Sequence, residues 1–133
     1  MQRTQGASVV GLLIGLFALT IPLSAHHGTR ASYDLDKRIT LKGVVTEWRL
    51  VNPHSQLYFD VTDEKGEVVH WSGEMSSVFQ LSKAGWNRNS IKPGDQVTVT
   101  LSPSRVGAPA GVMYLVILPD GRRIETDDGR ENQ

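Results

Sequence analysis

The chain contains no cysteine, which excludes a disulfide framework and any redox thiol. It has no excess charge of either sign, with 14 Lys+Arg against 14 Asp+Glu. Nonspecific nucleic-acid binding needs a clustered basic field, so nucleic acid is not an expected partner. No His-Glu-x-x-His zinc motif occurs, and no nucleophile elbow surrounds Ser24, Ser32 or Ser55. Glu47, Asp60 and Glu74 are possible acids or bases, but no spacing pairs them. The expectation is a protein that is not an enzyme.

Long apolar runs are confined to the start. Val9 to Ile21 is almost unbroken, preceded by a polar stretch with Arg3 and followed by Pro22-Leu23-Ser24-Ala25. This is the pattern of a signal peptide over 1–25, cleaved after Ala25. The run falls short of the about 20 apolar residues that span a bilayer. The expectations are a periplasmic or secreted location and no stable membrane span after cleavage. The processed chain keeps 108 residues with 13 basic against 14 acidic groups, enough for one modest core. With no disulfide, apolar burial and backbone pairing must hold it.

Residues 26–38 are polar and aperiodic and read as an extended arm. Strand character begins at Ile39 and Leu41, and Gly43 suggests a bulge or bend before Val44-Val45. Asn52-Pro53 signals a turn. Leu57, Phe59 and Val61 then alternate with Gln56, Tyr58 and Asp60, the clearest period-2 pattern in the chain. Asp63-Glu64-Lys65-Gly66 is a turn into a third strand, Glu67 to Gly73, with Val69 and Trp71 on one side and Val68 and His70 on the other. From Ser76 to Ala84 the period lengthens, Ser77 and Gln80 have capping-box spacing, and Gly85 suits a left-handed helix end. Lys92-Pro93-Gly94-Asp95 predicts a type II turn. Strands follow over 96–102 and 112–118, with a short piece at 123–125 and a polar, disordered tail over 126–133. Three strands, a helix and two strands make an all-β fold: an OB-fold-like five-stranded barrel, 39–125, with its helix between strands 3 and 4. A small open sandwich is the alternative; a closed barrel leaves fewer exposed edges.

A set of short motifs in order carries a resemblance. These are Ala25-His26-His27, Tyr33-Asp34, Leu41-Lys42-Gly43-Val44-Val45, Asn52-Pro53-His54, Gly85-Trp86, Lys92-Pro93-Gly94-Asp95-Gln96-Val97 and Pro119-Asp120-Gly121-Arg122. Together they span almost the whole processed chain, which resembles the DUF6152 family of small exported bacterial proteins of unknown function. The resemblance implies export and one small β-rich domain, and it assigns no activity or site residues. It departs at Gly28, where that family often has Ser.

The histidines are the residues with the most distinctive chemistry. Cleavage after Ala25 would make His26 the N-terminus. Its α-amine and imidazole could then close a chelate ring on one ion, and a second imidazole would make a nitrogen-rich set suited to Cu(II). His27 or His54, the latter on the Asn-Pro turn, is that second donor, and Tyr33, Asp34 or Asp36 could add an oxygen. Copper is therefore the candidate cofactor and His26, His27 and His54 the candidate metal ligands. Equally, His26-His27 reads as a polar terminus, and His54 as a cap on its own turn. OB-folds also bind ligands on the face of strands 2 and 3. Trp48, Tyr58 and His70 are candidates there for a sugar, peptide or other small ligand. Against this, the tryptophans read as packing residues and His70 as a cross-strand partner. The two function classes are a binding module for a metal or small ligand, and a module docking a periplasmic protein through a strand edge or the 103–110 loop.

Overall fold

The computed structural model describes residues 28–126. The elements are α1 (Thr29–Ser32), β1 (Ile39–Arg49), β2 (Gln56–Thr62), β3 (Val68–Glu74), α2 (Val78–Lys83), β4 (Gln96–Pro103), β5 (Ala110–Ile117) and β6 (Arg123–Glu125). The strands lie in the order β3-β2-β1-β4-β5-β6, and a parallel pairing of β3 with β5 closes the first five into a barrel. The long strand β1 makes closure possible because it pairs with β4 over Ile39–Val44 and with β2 over Val44–Arg49. Closure, strand count and the helix between β3 and β4 define an OB-like barrel.

The alternation in β2 is realised residue for residue. Leu57 and Phe59 are fully buried and Val61 is partly so, while Tyr58 and Asp60 lie on the outer face. Phe59 stacks on Trp71 from β3, with ring centroids 6.4 Å apart. Leu101, Val99 and Val116 from β4 and β5 complete the barrel interior with Val45.

Helix α2 packs onto the core through Leu81, its buried residue. Ser77 caps it by accepting from the Gln80 backbone N–H, and the Ser77 hydroxyl also bonds the Gln80 side-chain oxygen. Its C-terminus is a Schellman motif: Trp86 N–H bonds Leu81 O, Gly85 N–H bonds Ser82 O, and Gly85 takes φ +93°. That turn drops Trp86 into the core beside Leu81. Lys92-Pro93-Gly94-Asp95 closes with Asp95 N–H to Lys92 O and positive φ at Gly94. It also docks on β1 through Gly94 N–H to Val45 O and Val45 N–H to Asp95 O.

Three sequence expectations need correction. The arm is not simply extended: α1 makes one helical turn, Tyr33 bridges to Ser104, and Arg105 N–H bonds Ser32 O. The β1 irregularity lies between Val45 and Glu47, not at Gly43. Gly43 serves a close approach instead, because a Cβ there would come within 2.6 Å of the Asp60 carbonyl oxygen. Thr126 is no frayed residue. It is buried, its N–H bonds Tyr114 O, and its hydroxyl donates to Met113 O. Residues 1–25, where a signal peptide is expected, His26, His27 and the tail from residue 127 lie outside the described residues. No helix among those described is long and apolar enough to cross a membrane.

Candidate functional site

The β1–β2 connection is organised by residues other than His54. Ser55 is fully buried, and its hydroxyl donates to Val51 O at 3.1 Å and accepts from Val51 N–H at 3.3 Å. Asn52 accepts from Val78 N–H at 3.0 Å, tying the turn to the start of α2. These bonds pair both backbone groups of Val51 and the Val78 N–H. The His54 side chain, 49% exposed, instead faces Glu74, with Nδ1 3.4 Å from Oε1.

Glu74 ends β3 on the barrel's outer face and is only 22% exposed. Its other oxygen accepts from the Tyr33 hydroxyl at 3.1 Å. The backbone bridge of Tyr33 to Ser104 and the bond from Asp34 N–H to Pro103 O fix the arm over the β4–β5 connection. One carboxylate therefore joins the N-terminal arm to the Asn52-Pro53-His54 turn. Tyr33 is 41 positions from Glu74, and no local motif links Glu74 to either partner, so its role was not legible in the sequence. Asp34 sits 3.7 Å from Arg105, while Asp36 lies on the exposed surface.

Metal coordination needs donors at defined separations. Two donors about 2.0–2.1 Å from an ion are about 2.9 Å apart at a right angle and about 3.3 Å at the tetrahedral angle. The 3.4 Å between His54 Nδ1 and Glu74 Oε1 is close to the tetrahedral value and longer than the right-angle one. Among the described residues no group of three or more His, Cys, Asp or Glu gathers as a complete metal site. Further donors would have to come from residues such as His26 and His27.

The aromatic candidates divide between faces. Tyr58 and His70 share the outer face, where Tyr58 pairs with Ser72 and Asp60 with His70. The Arg49 guanidinium lies 5.1 Å from the Tyr58 ring centre. Arg49 itself bonds Glu47 at 2.5 Å, and this carboxylate raises the guanidinium pKa further. His70 Nδ1 is 2.6 Å from Asp60 Oδ1, a cross-strand pair on a well-exposed ring. Trp48 does not join this face. It pairs with Leu57, its ring lies 5.2 Å from Trp86, and its indole N–H donates to Asn87 O. The acids that sequence spacing leaves unpaired are thus each engaged: Glu47 with Arg49, Asp60 with His70, and Glu74 with His54 and Tyr33. Away from Tyr33, Glu74 and His54, an open groove of about 490 Å³ runs past Gly43, Asp60, Gln96 and Pro119.

An OB-like barrel with an arm-to-turn cluster of Tyr33, Glu74 and His54 is the class of protein that emerges. A family model described as "Family of unknown function (DUF6152)" matches residues 14–113, and the chain belongs to that family. No curated protein matches it.

Proposed function

We propose that this is an exported, non-catalytic binding module whose site lies where the N-terminal arm meets the Asn52-Pro53-His54 turn. Its ligand is a copper ion, held by the His26 amine and imidazole after cleavage behind Ala25, with His54 or His27 as a further nitrogen donor. The observation that supports this is the Glu74 carboxylate, which accepts from Tyr33 of the arm and faces His54 of the turn. It holds the arm near His54. Copper supplies an affinity for nitrogen-rich planar sets; the residues of this chain supply the orientation.

Protein beginning at an authentic His26 should be titrated with Cu(II) by calorimetry and electron paramagnetic resonance. The expected result is a one-to-one site with nitrogen hyperfine structure. A residue added before His26 should weaken binding sharply, and His54→Ala should weaken it further. Equal binding by the authentic and extended forms, or no tight binding by either, would defeat the terminal-amine reading. The periplasmic module for a sugar, peptide or protein would then take precedence, with Tyr58 and His70 on the outer face as its first residues to test.

A further inference from the structure

The strand β3 has an edge that closure leaves open. It pairs with β5 only over Ser72–Glu74, while it pairs with β2 along its whole length. The hydrogen-bond phase of the β2–β3 ladder is fixed at both ends, by Asp63 N–H to Glu67 O and Met75 N–H to Ser55 O. Antiparallel ladders alternate, so Val69 and Trp71 bond to β2 while Val68, His70 and Ser72 turn their backbone groups away from it. Ser72 N–H indeed bonds outward, to Pro109 O. Among the described residues no strand pairs with the outward groups of Val68 and His70.

Edges of this kind are usually blunted by Lys, Pro, a bulge or a cover. The segment Val68-Val69-His70-Trp71 has no Lys or Pro, and its ladder to β2 runs without a register shift. Val68 is 54% exposed and the His70 side chain 83%. The other terminal strand, β6, is three residues long and carries Arg123 and Glu125, so it is protected in the usual way.

We infer that β3 pairs antiparallel with β3 of a second copy about a two-fold axis at Val69. This register sets Val68 opposite His70 of the second copy and the reverse, so both donors and both acceptors of each edge are used. An axis at His70 would instead oppose Val68 to Ser72, whose N–H is already bonded to Pro109. Charge favours the same arrangement. The axis residue is uncharged, and Glu67 falls opposite Trp71, so no carboxylate faces its own copy. The acidic β2–β3 turn, with Asp63, Glu64 and Glu67 against Lys65, would run toward the β4–β5 loop of the second copy, whose Arg105 also lies 3.7 Å from its own Asp34. So short a strand pair places the dimer among small, transient interfaces.

The test uses protein purified after expression of the full chain. Sedimentation equilibrium over a wide concentration range should show reversible dimers, and Val68→Lys should raise the dissociation constant at least tenfold. Because the chain has no cysteine, Val69→Cys is a direct probe of the axis. Under mild oxidation it should form disulfide-linked dimers at least tenfold faster than the exposed control Asn89→Cys, with melting curves confirming that both variants are folded. A protein that stays monomeric at millimolar concentration, association unmoved by Val68→Lys, or equal cross-linking of the two cysteine variants would each overturn the inference.

Discussion

Gly73 lies directly beneath the sulfur of Met113: a Cβ on Gly73 would fall inside the Met113 side chain. The two residues belong to β3 and β5, the strands whose parallel pairing closes the barrel. On the β5 side, a Cβ on Gly111 would meet the Leu101 side chain and the Ser102 carbonyl at 2.5 Å. Closure therefore depends on two facing glycines with no room to spare.

Gly73→Ala is expected to destabilise the protein by about 1–3 kcal/mol through overpacking. Met113→Ala in the same chain opens space, so the double variant should lose less than the sum of the single ones. Urea unfolding of the four proteins measures this coupling, and additive losses would show that Gly73 acts through backbone conformation alone.

Phe59 is the other packing test. Its ring is fully buried between β1 and β3 and stacks on Trp71. Phe59→Ala should cost about 3–5 kcal/mol, read as a lower urea midpoint, with the β-type circular dichroism of the remaining folded protein unchanged.

These two residues show where sequence reading succeeds and where it stops. Phe59 was legible because alternation in β2 is a local signal: Leu57, Phe59 and Val61 must share a face. Ser77, Gly85 and Gly94 were legible for the same reason, since caps and turns are written in adjacent residues. Gly73 was not, because its constraint comes from a side chain 40 positions away. The site follows the same rule. His54 could be singled out by the Asn-Pro turn beside it, but Glu74 owes its place to β3 ending level with Gln56 and to Tyr33 reaching over from the arm. Thr126 misled because a polar residue near a polar tail resembles tail, whereas its hydroxyl and N–H meet the carbonyls of Met113 and Tyr114.

Asp120 provides a pH test at the β5–β6 turn. Its carboxylate is held below the usual range first by the Arg122 backbone N–H at 3.0 Å, then by the Arg122 guanidinium at 2.6 Å. A depressed folded-state pKa means that the stabilising contribution is present above the unfolded value and is lost as pH falls through the folded one. Carbon-detected NMR titration should place the Asp120 midpoint below the 3.8 of a free side chain. Arg122→Ala should recover only part of the shift, because the backbone donor survives. Full recovery would assign the effect to the guanidinium.

The Tyr33–Glu74 bond tests whether the arm is anchored by its side chain. Tyr33→Phe removes one partly buried hydroxyl-to-carboxylate bond and should cost about 0.5–1.5 kcal/mol, or somewhat more because the acceptor is charged. The backbone ties to Ser104 and Pro103 remain. Amide exchange should therefore quicken over 29–34 before it quickens in the barrel, and uniform acceleration would place Tyr33 in the global folding unit.

Ser55 and His54 are neighbours with opposite expectations. The buried Ser55 hydroxyl serves both backbone groups of Val51, so Ser55→Ala strips them of partners and should cost about 1–3 kcal/mol. His54 is half exposed and meets Glu74 at the surface, so His54→Ala should change apo-protein stability by no more than about 1 kcal/mol. The two variants should invert when copper is added. Wild type and Ser55→Ala would gain stability from a bound ion by mass action, while His54→Ala would gain little. Melting curves with and without Cu(II) separate the cases. A large loss in apo His54→Ala would make the imidazole part of the turn's structure, and an undiminished copper-induced rise in that variant would remove His54 from the ligand set.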